Sequence, residues 1–296
     1  MMMTVQRGRR RRVHPAYLFM APSLTLIAVF VIWPIAQALW MSAYDWSFLQ
    51  PRHAFIGIAN YVELIHDERF WNALRVTAIY TLGTVPAQVG LGLAVAIALN
   101  QRLRGTQLFR AAYFFPVISS LAVMAIVWRF LLDPDIGVLS YWLSLVGLPR
   151  TDWLRSTDLA LPGVMLVGVW KNVGFHMVLL LAGLQAIPEP HYEAAAIDGA
   201  GPWNRFRHIT LPGLRQPMLF ATVIAVLGSL QAFDQVFVMT RGGPLFTTET
   251  LVTYMYHQGF ELFRMGYAAA LAWVLFLIVL VGSAIQLRLF RYREVD

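Results

Sequence analysis

Seven polar or aromatic residues stand inside two long apolar stretches of the sequence, where most neighbours are aliphatic. They are Trp170, Lys171, Asn172 and His176 in the first stretch and Gln231, Phe233 and Asp234 in the second. Amide and carboxylate groups bind hydroxyl groups, while an aromatic ring covers the apolar face of a ligand such as a sugar. Polar groups in such stretches are costly, which makes each a candidate for function. We therefore predict that these residues line one solute-binding cavity.

The two charged members of this set also have a structural interpretation. Lys171 and Asp234 carry opposite charges, so they can form a contact between two helices that takes no part in binding. Alternatively, the long lysine side chain can extend towards the end of its helix and place its ammonium in water. The sequence leaves these interpretations open beside the functional one.

The composition indicates a membrane protein. Of 296 residues, 58% are apolar and 13% are charged, and the mean hydropathy is +0.59. A soluble domain is roughly 45–50% apolar and about 25% charged. Six apolar stretches reach the roughly 20 residues that a helix needs to cross a bilayer. They cover residues 17–42, 74–99, 107–132, 160–185, 215–239 and 266–290. The predicted fold is an all-α membrane protein with six transmembrane helices and short tails at residues 1–16 and 291–296.

Small residues within these stretches predict helix contacts. Gly90, Ala94 and Ala98 recur at the spacing that lets helix backbones approach closely, so we expect them to face a neighbouring helix.

The arginines predict the orientation of the chain. Six spans put both termini and the second and fourth loops on one side, which carries fourteen arginines and five acids. The opposite side carries eight arginines and ten acids. Because positively charged loops stay in the cytoplasm, both termini are expected to be cytoplasmic in a multi-pass protein of a bacterial cell membrane. The charges cluster at the ends of apolar stretches, next to membrane lipid, so no nucleic-acid partner is expected.

Several kinds of catalytic and metal site are excluded by residue type. The chain has no cysteine, which excludes thiolate ligands, disulfides and cysteine nucleophiles. A phosphate-binding P-loop requires a Gly-Lys pair, but the one lysine of the chain, Lys171, follows Trp170. No His-Glu-x-x-His pair or Gly-x-Ser-x-Gly elbow occurs, and the seven histidines are scattered. We predict that the chain is not an enzyme and binds no metal or cofactor itself.

The segment between the fourth and fifth apolar stretches, residues 188–212, predicts two short helices joined by a turn. Pro190 suits the first turn of a helix, and Glu193 places negative charge near its positive end. Gly199 and Gly201 permit the positive-φ geometry that ends a helix, and the proline that follows them can start the next helix.

Residues of this segment match the EAA-loop signature of transmembrane subunits of bacterial ABC importers, which the sequence closely resembles. The matching residues are Glu193-Ala194-Ala195, Asp198-Gly199-Ala200, Phe206, Ile209 and Leu211-Pro212. In that family the loop is the coupling helix, which docks into a cleft of a cytoplasmic ATPase. The resemblance implies an ATPase-coupling surface made of Glu193, Ala194, Ala195, Asp198, Gly199, Ala200, Phe206 and Arg207. An amphipathic loop lying on the membrane surface is the alternative.

The resemblance extends over nearly the whole chain and indicates a branch of the family. Residues 233–244, followed by Thr248-Glu249-Thr250-Leu251, are similar to the outer loop of carbohydrate-uptake permeases, typified by the maltose and glycerol-3-phosphate importers. The family pattern has a glycine where Arg241 stands. This resemblance implies a disaccharide, glycerol 3-phosphate or a glycerophosphodiester as the solute. It also implies three partners: a second homologous permease subunit, a cytoplasmic ATPase dimer that binds ATP and Mg, and an extracellular or periplasmic solute-binding protein.

Two other classes of protein stay open on the residues alone. An ion-coupled secondary transporter usually has internal repeats and several intramembrane carboxylates, whereas Asp234 is nearly alone here. A non-transporting membrane scaffold does not explain the features of residues 188–212.

Overall fold

The computed structural model describes residues 15–49, 53–101, 105–147 and 150–291, and these residues are mostly helical. The predictions for residues 1–14 and 292–296, including the arginine-rich N-terminal tail, lie outside the described residues. The first part of the chain contains α1 (Pro15–Ile27), a π-helical turn (Ala28–Ile32), α2 (Trp33–Ser42), the antiparallel strands β1 (Tyr44–Asp45) and β2 (Ala54–Phe55), α3 (Ala59–His66), α4 (Glu68–Leu99), α5 (Thr106–Ile118), α6 (Leu121–Leu131) and α7 (Val138–Leu145). The second part contains α8 (Ala160–Gln185), α9 (Glu189–Ile197), α10 (Pro202–Arg205), a π-helical turn (Phe206–Thr210), α11 (Leu211–Gly213), α12 (Arg215–Leu230), α13 (Asp234–Met239), α14 (Leu251–Tyr256), a π-helical turn (His257–Glu261) and α15 (Met265–Arg291).

Four helices are long and apolar enough to cross a membrane. They are Phe19–Ser42, Glu68–Leu99, Ala160–Gln185 and Met265–Arg288. Two bent pairs, α5 with α6 and the Pro202–Gly213 segment with α12, pass the same test together. Counting each pair as one span gives six within the described residues. The predicted all-α membrane fold is confirmed, while its orientation stays a prediction.

The third predicted span, residues 107–132, is sharply bent, because α5 and α6 meet at 101°. Pro116 lacks the N–H that a continuous helix needs. Ser119 and Ser120 are extended, with ψ of 147° and 128°. The Ser119 hydroxyl also donates to the Phe115 carbonyl, which competes with the helical hydrogen bond. The chain therefore turns sharply between the two helices.

The fifth predicted span, residues 215–239, is also interrupted. α12 ends at Leu230 and α13 begins at Asp234, so Gln231, Ala232 and Phe233 lie outside the helices. Hydropathy does not detect this break, because the residues around it remain largely apolar.

The centre of the fold is the contact between α4 and α8, whose backbones approach closely at glycines. A Cβ on Gly92 would lie 2.6 Å from the Cβ of His176, and one on Gly168 would lie 2.2 Å from the Tyr80 hydroxyl. Small residues allow such close packing in membrane proteins. The packing of α4 on α8 therefore depends on the absence of a side chain at these positions.

The small residues predicted to face a neighbouring helix do not do so in this chain. Gly90, Ala94 and Ala98 are exposed, while Gly92 and Ala96 are buried. The exposed residues and the buried residues are offset by two positions along α4, which corresponds to about 200° around a helix of 3.6 residues per turn. The spacing was therefore compatible with packing, but the side of α4 was wrong.

The loop between α13 and α14 is held against the start of α4 by a buried ion pair. Arg69 donates from Nε and Nη2 to the two carboxylate oxygens of Glu249, both at 2.8 Å, and Glu249 is 2% exposed. The Phe246 ring covers the guanidinium, with its centroid 3.9 Å away. A bidentate pair is the stronger form of this interaction, so it fixes the position of the loop.

Asp67, the residue before α4, connects the same end of the molecule to α14 and α15. The hydroxyls of Tyr254 and Tyr267 both donate to its Oδ2. Burial raises the pKa of Asp67, but these donors and the backbone N–H groups of Arg69 and Phe70 outweigh burial, so the pKa lies below its usual value. The charged carboxylate thus joins three helices.

Replacing Gly92 with alanine should lower the thermal stability of the purified chain, because the new methyl group would press against the backbone of α8. Overpacking of this kind costs roughly 1–3 kcal/mol. Gly90→Ala is the matched control, since nothing lies within 4 Å of a Cβ at that position of the same helix. Thermal melting in detergent, followed by tryptophan fluorescence, measures both variants. Equal melting temperatures would contradict the close contact.

Candidate functional site

A cavity of about 270 Å³ lies between α4, α8 and α12, beside the break that precedes α13. Its wall contains Asn172, His176, Gln231, Phe233 and Asp234. Small-molecule sites hold roughly 300–1,000 Å³, so the volume is near the lower end of that range. The structure thus brings together five of the seven residues predicted to line a solute path.

Lys171 has a different place, at the break between α5 and α6. Its Nζ donates to the carbonyls of Pro116, Val117 and Ser119 at 2.5, 2.8 and 2.6 Å. These carbonyls belong to the end of α5, where a cation also favours the negative end of the helix dipole. Among the described residues the ammonium contacts these carbonyls rather than Asp234, and the side chain is buried. Lys171 therefore stabilises the break that lies beside the cavity.

The second break is stabilised in the same way, by side chains from elsewhere in the chain. The Thr250 hydroxyl donates to the Ala232 carbonyl at 2.7 Å. The Gln235 amide donates to the Tyr80 hydroxyl at 2.8 Å, which ties the start of α13 to α4. Backbone groups that leave a helix within the membrane need such partners, because no water is available there. Side chains from other parts of the chain therefore hold the backbone at the second break in place.

The α8 wall of the cavity contains a side-chain amide and an imidazole. The Asn172 amide nitrogen donates to the Gly168 carbonyl at 2.9 Å, which leaves its oxygen as an acceptor. His176 Nδ1 lies 2.9 Å from the Asn172 carbonyl, and the ring is almost fully buried beside the Ala221 backbone. The polar group that this wall offers to a ligand is therefore the Asn172 amide oxygen.

Trp170 lies outside the cavity wall. Its ring packs edge-on against Trp128, with centroids 5.3 Å apart.

The cavity residues with a polar side chain that the sequence analysis missed are Tyr80, Gln88, Ser229 and Gln235. Gln88, Ser229 and Gln235 are polar residues inside predicted spans, which is the signal that could have found them. Tyr80 gave no such signal in the sequence, because tyrosine is a common aromatic residue in an apolar span. In the structure its hydroxyl accepts a hydrogen bond from Gln235.

The segment 188–212, called the knob from here on, forms two short helices as predicted. Pro190 lies in the first turn of α9, and Pro202 is the first residue of α10. Gly199 ends α9 with φ of +77°, whereas Gly201 has φ of −68°, so the prediction of positive φ is correct only for Gly199. A backbone hydrogen bond of 2.8 Å from the Ala200 N–H to the Ala195 carbonyl closes the turn.

Side-chain contacts make the knob one rigid unit. The hydroxyls of Tyr192 and Thr210 lie 2.9 Å apart and connect α9 to the second π-helical turn. Arg205 Nε donates to the Ala200 carbonyl at 2.7 Å, across the turn between the two helices.

The predicted coupling residues lie on the outside of the knob or just beneath it. Glu193, Ala194, Asp198, Gly199 and Arg207 are exposed, and Ala195, Ala200 and Phe206 are half-buried. The sequence analysis missed two apolar residues on this surface, Ile197 and Trp203, which are 87% and 68% exposed. Exposed apolar side chains grouped on one projecting element are typical of a protein interface.

The two ends of the knob are held close together by the residues that flank it. A Cβ on Gly183, near the end of α8, would lie 2.6 Å from the Pro217 ring of α12. A Cβ on Gly213, the residue after the knob, would lie 2.8 Å from Cδ1 of Ile187, the residue before it. The knob therefore begins and ends where α8 and α12 pack against each other.

The described fold defines a polytopic α-helical membrane protein. The family of binding-protein-dependent transport system inner membrane components matches residues 88–293, more than half of the chain, and this chain belongs to that family. The resemblance indicated by the EAA-loop residues is thus confirmed.

Curated relatives match over almost their whole length. The probable ABC transporter permease protein YurN of Bacillus subtilis is 36% identical over 93% of this chain and 95% of its own. The trehalose/maltose transport system permease protein MalF of Thermococcus litoralis is 33% identical over 96% of each chain. The sn-glycerol-3-phosphate transport system permease protein UgpA of Agrobacterium fabrum is 34% identical over 92% of this chain and 93% of its own.

One solved structure has the same fold. It is a bacterial ABC transporter involved in the import of the acidic polysaccharide alginate, with a TM-score of 0.82, 23% identity and coverage of 94% of this chain and 95% of the other. At this identity the similarity establishes the fold alone.

Lys171→Met should destabilise the folded chain, because it removes the ammonium donor from three carbonyls, of which Val117 and Ser119 lose the donor described here. Each unsatisfied buried group costs about 1–3 kcal/mol. Lys171→Arg, which keeps the charge and the donors, should lose much less stability. Thermal melting and protease digestion in detergent measure the difference. A methionine variant as stable as the parent would show that the ammonium does not stabilise the break.

Proposed function

We propose that this chain is one of two transmembrane subunits of an ATP-driven importer for a sugar or a sugar-phosphate-like solute. In this proposal the cavity beside Phe233 is part of the translocation path, and the knob couples the path to a separate ATPase. A cytoplasmic ATPase dimer hydrolyses ATP with Mg, and this chain performs no catalysis. A second homologous permease completes the path.

The observation that carries the proposal is the position of the knob between α8 and α12. These two helices supply Asn172, His176 and Ser229 to the cavity wall, and the knob connects their ends. A force applied to the knob is therefore transmitted directly to two walls of the cavity. Coupling between distant sites needs a packed, contiguous element of this kind.

The orientation in the proposal follows from the charges of the loops. The knob lies in the fourth loop, on the arginine-rich side, and this charge supports a cytoplasmic position for the knob and both termini. The loop between α13 and α14 then faces the periplasm or the cell exterior. There an extracellular or periplasmic solute-binding protein delivers the solute, in agreement with the binding-protein-dependent family to which the chain belongs.

The proposed solute class rests on the cavity and on the relatives. The cavity combines three aromatic rings, four side-chain amides and a carboxylate, which suit the apolar face and the hydroxyls of a sugar. Two of the relatives are named for the transport of trehalose and maltose and of sn-glycerol 3-phosphate. A disaccharide, glycerol 3-phosphate and a glycerophosphodiester all fall within this class.

Gly199→Val should abolish uptake and weaken the association with the ATPase. Space is not the obstacle, since nothing lies within 4 Å of a Cβ at this position. The obstacle is the backbone, because φ of +77° is strained for an L-residue by roughly 1–2 kcal/mol, and a β-branched residue resists it further. Glu193→Lys should have the same effect by reversing the charge that faces the ATPase.

Gly199→Asn is the matched control, because asparagine tolerates left-handed backbone. It should retain most of the uptake rate. Uptake into proteoliposomes and co-purification with the ATPase measure all three variants, after membrane insertion has been verified. A Gly199→Val complex that assembles normally and transports at the parent rate would refute the assignment of the knob.

Alanine at Asn172, Gln231 or Asp234 should weaken solute uptake without preventing assembly. Each substitution removes one polar group from the cavity wall, and a hydrogen bond contributes about 0.5–1.5 kcal/mol, or about 1.5–3 kcal/mol when charged. The apparent KM should therefore rise by roughly two- to tenfold for Asn172→Ala and Gln231→Ala, and by roughly ten- to a hundredfold for Asp234→Ala. Thr222→Ala, on α12 but outside the cavity wall, is the control. Parent-like uptake by all three variants would place the path elsewhere.

A further inference from the structure

A second polar cavity, of about 290 Å³, lies at the far end of the helices that border the first one. α6 begins at Leu121 in the wall of the first cavity and reaches the second at Arg129. α13 runs from Gln235 in the first wall to Met239 in the second. α13 has six residues and is about 9 Å long, so the two cavities are separated by a single short helix.

Two arginines and two aspartates give the second cavity its chemistry: Arg129, Asp133, Asp152 and Arg155. Thr240 adds a hydroxyl. Two positive and two negative side chains leave the site without net charge. The site therefore combines strong hydrogen-bond donors and acceptors without attracting ions of one sign.

Each aspartate is held in place through one of its two oxygens. Asp133 Oδ1 accepts from the N–H groups of Asp135 and Ile136 at 2.9 and 3.1 Å. Asp152 Oδ1 accepts from the Arg155 N–H at 3.1 Å. The backbone donors of Asp135 and Ile136 also lower the pKa of Asp133, which keeps this carboxyl ionised.

The second oxygen of each aspartate faces Arg155 without forming a direct hydrogen bond. Asp133 Oδ2 lies 3.8 Å from Nη2 of Arg155, and Asp152 Oδ2 lies 3.9 Å from Nη1. These separations exceed hydrogen-bond length, so a water molecule or a ligand hydroxyl can bridge each pair. Two neighbouring hydroxyls can thus each accept from the guanidinium and donate to a carboxylate.

We propose that this second cavity is a staging site for a neutral sugar, which binds there before it passes along α13 into the first cavity. This inference rests on the proposed function and narrows its solute class. A pair of neighbouring ring hydroxyls meets both a guanidinium and two carboxylate oxygens. A phosphate dianion, by contrast, has no proton to donate to Asp133 or Asp152, so it cannot bridge the guanidinium and the carboxylates, and the site favours neutral sugars over sugar phosphates.

Saturation-transfer NMR on the detergent-solubilised complex of both permeases and the ATPase tests this site. The probes are methyl α-D-glucopyranoside, which is neutral, and sn-glycerol 3-phosphate, which also has neighbouring hydroxyls but carries a phosphate group. Gln231→Ala is introduced first to weaken the contribution of the first cavity. The glucoside should still give a signal in this background, and glycerol 3-phosphate should give a much weaker one.

Arg155→Met should then lower the apparent affinity for the glucoside by about tenfold, because hydrogen bonds to a charged group are lost. Arg155 is 67% exposed, so the variant should fold and assemble normally. Arg150→Met, an exposed arginine outside the cavity wall, is the matched control and should leave the signal unchanged.

Three results would overturn the staging site: no glucoside signal in the Gln231→Ala background, an unchanged signal in Arg155→Met, or a stronger signal from glycerol 3-phosphate. If Arg155→Met weakened association with the solute-binding protein but left the glucoside signal unchanged, the charged residues of the second cavity would be assigned to protein docking instead. ATP-dependent uptake by the same complex is measured in parallel. If uptake is present, these failures refute the staging site alone, whereas absent uptake refutes the proposed function.

Discussion

Backbone carbonyls that leave a helix inside a membrane must be bound by the protein itself, and this requirement shapes the chain around its cavity. Two of the predicted spans are broken, and both breaks border the cavity. At one break Lys171 supplies the donor, and at the other Thr250 does. The cavity exists because these side chains replace helical donors. Lys171 is therefore structural, while the oxygen of the neighbouring Asn172 amide remains an acceptor for a solute.

The helices around the cavity also provide a direct route by which the proposed ATPase can act on it. The knob is rigid, since hydrogen bonds at Tyr192 and Arg205 join its parts. Its two ends lie close together, because the residues that flank it pack at Gly183 and Gly213. The proposed coupling needs no long relay, because the helices that carry the knob also form two walls of the cavity. The Gly92 contact then ties α8 to α4, the third wall.

The sequence predicted the class of fold and the knob well, because hydropathy, charge and helix-end signals are local. Pro116 indicates an interruption in the third span, but the sequence did not predict the break before α13, since apolar composition continues through it. The role of Lys171 was also out of reach, because its carbonyl partners lie 52 to 55 residues earlier in the chain. At Arg241, by contrast, the structure explains a feature of the sequence. The backbone φ of Arg241 is +51°, a conformation that favours glycine, and the family pattern has a glycine at this position.

The central claim is that closure of the ATPase, acting through the knob, changes the side from which the cavity is open. The chain has no cysteine, so Gln231→Cys provides a single label position when the partner subunits are also cysteine-free. A membrane-impermeant maleimide, added to either side of proteoliposomes holding the complete complex, measures access to this position. We predict that labelling occurs from one side without nucleotide and from the opposite side with ATP and vanadate, and that Glu193→Lys abolishes this change. Labelling from the same side in both states would contradict the account.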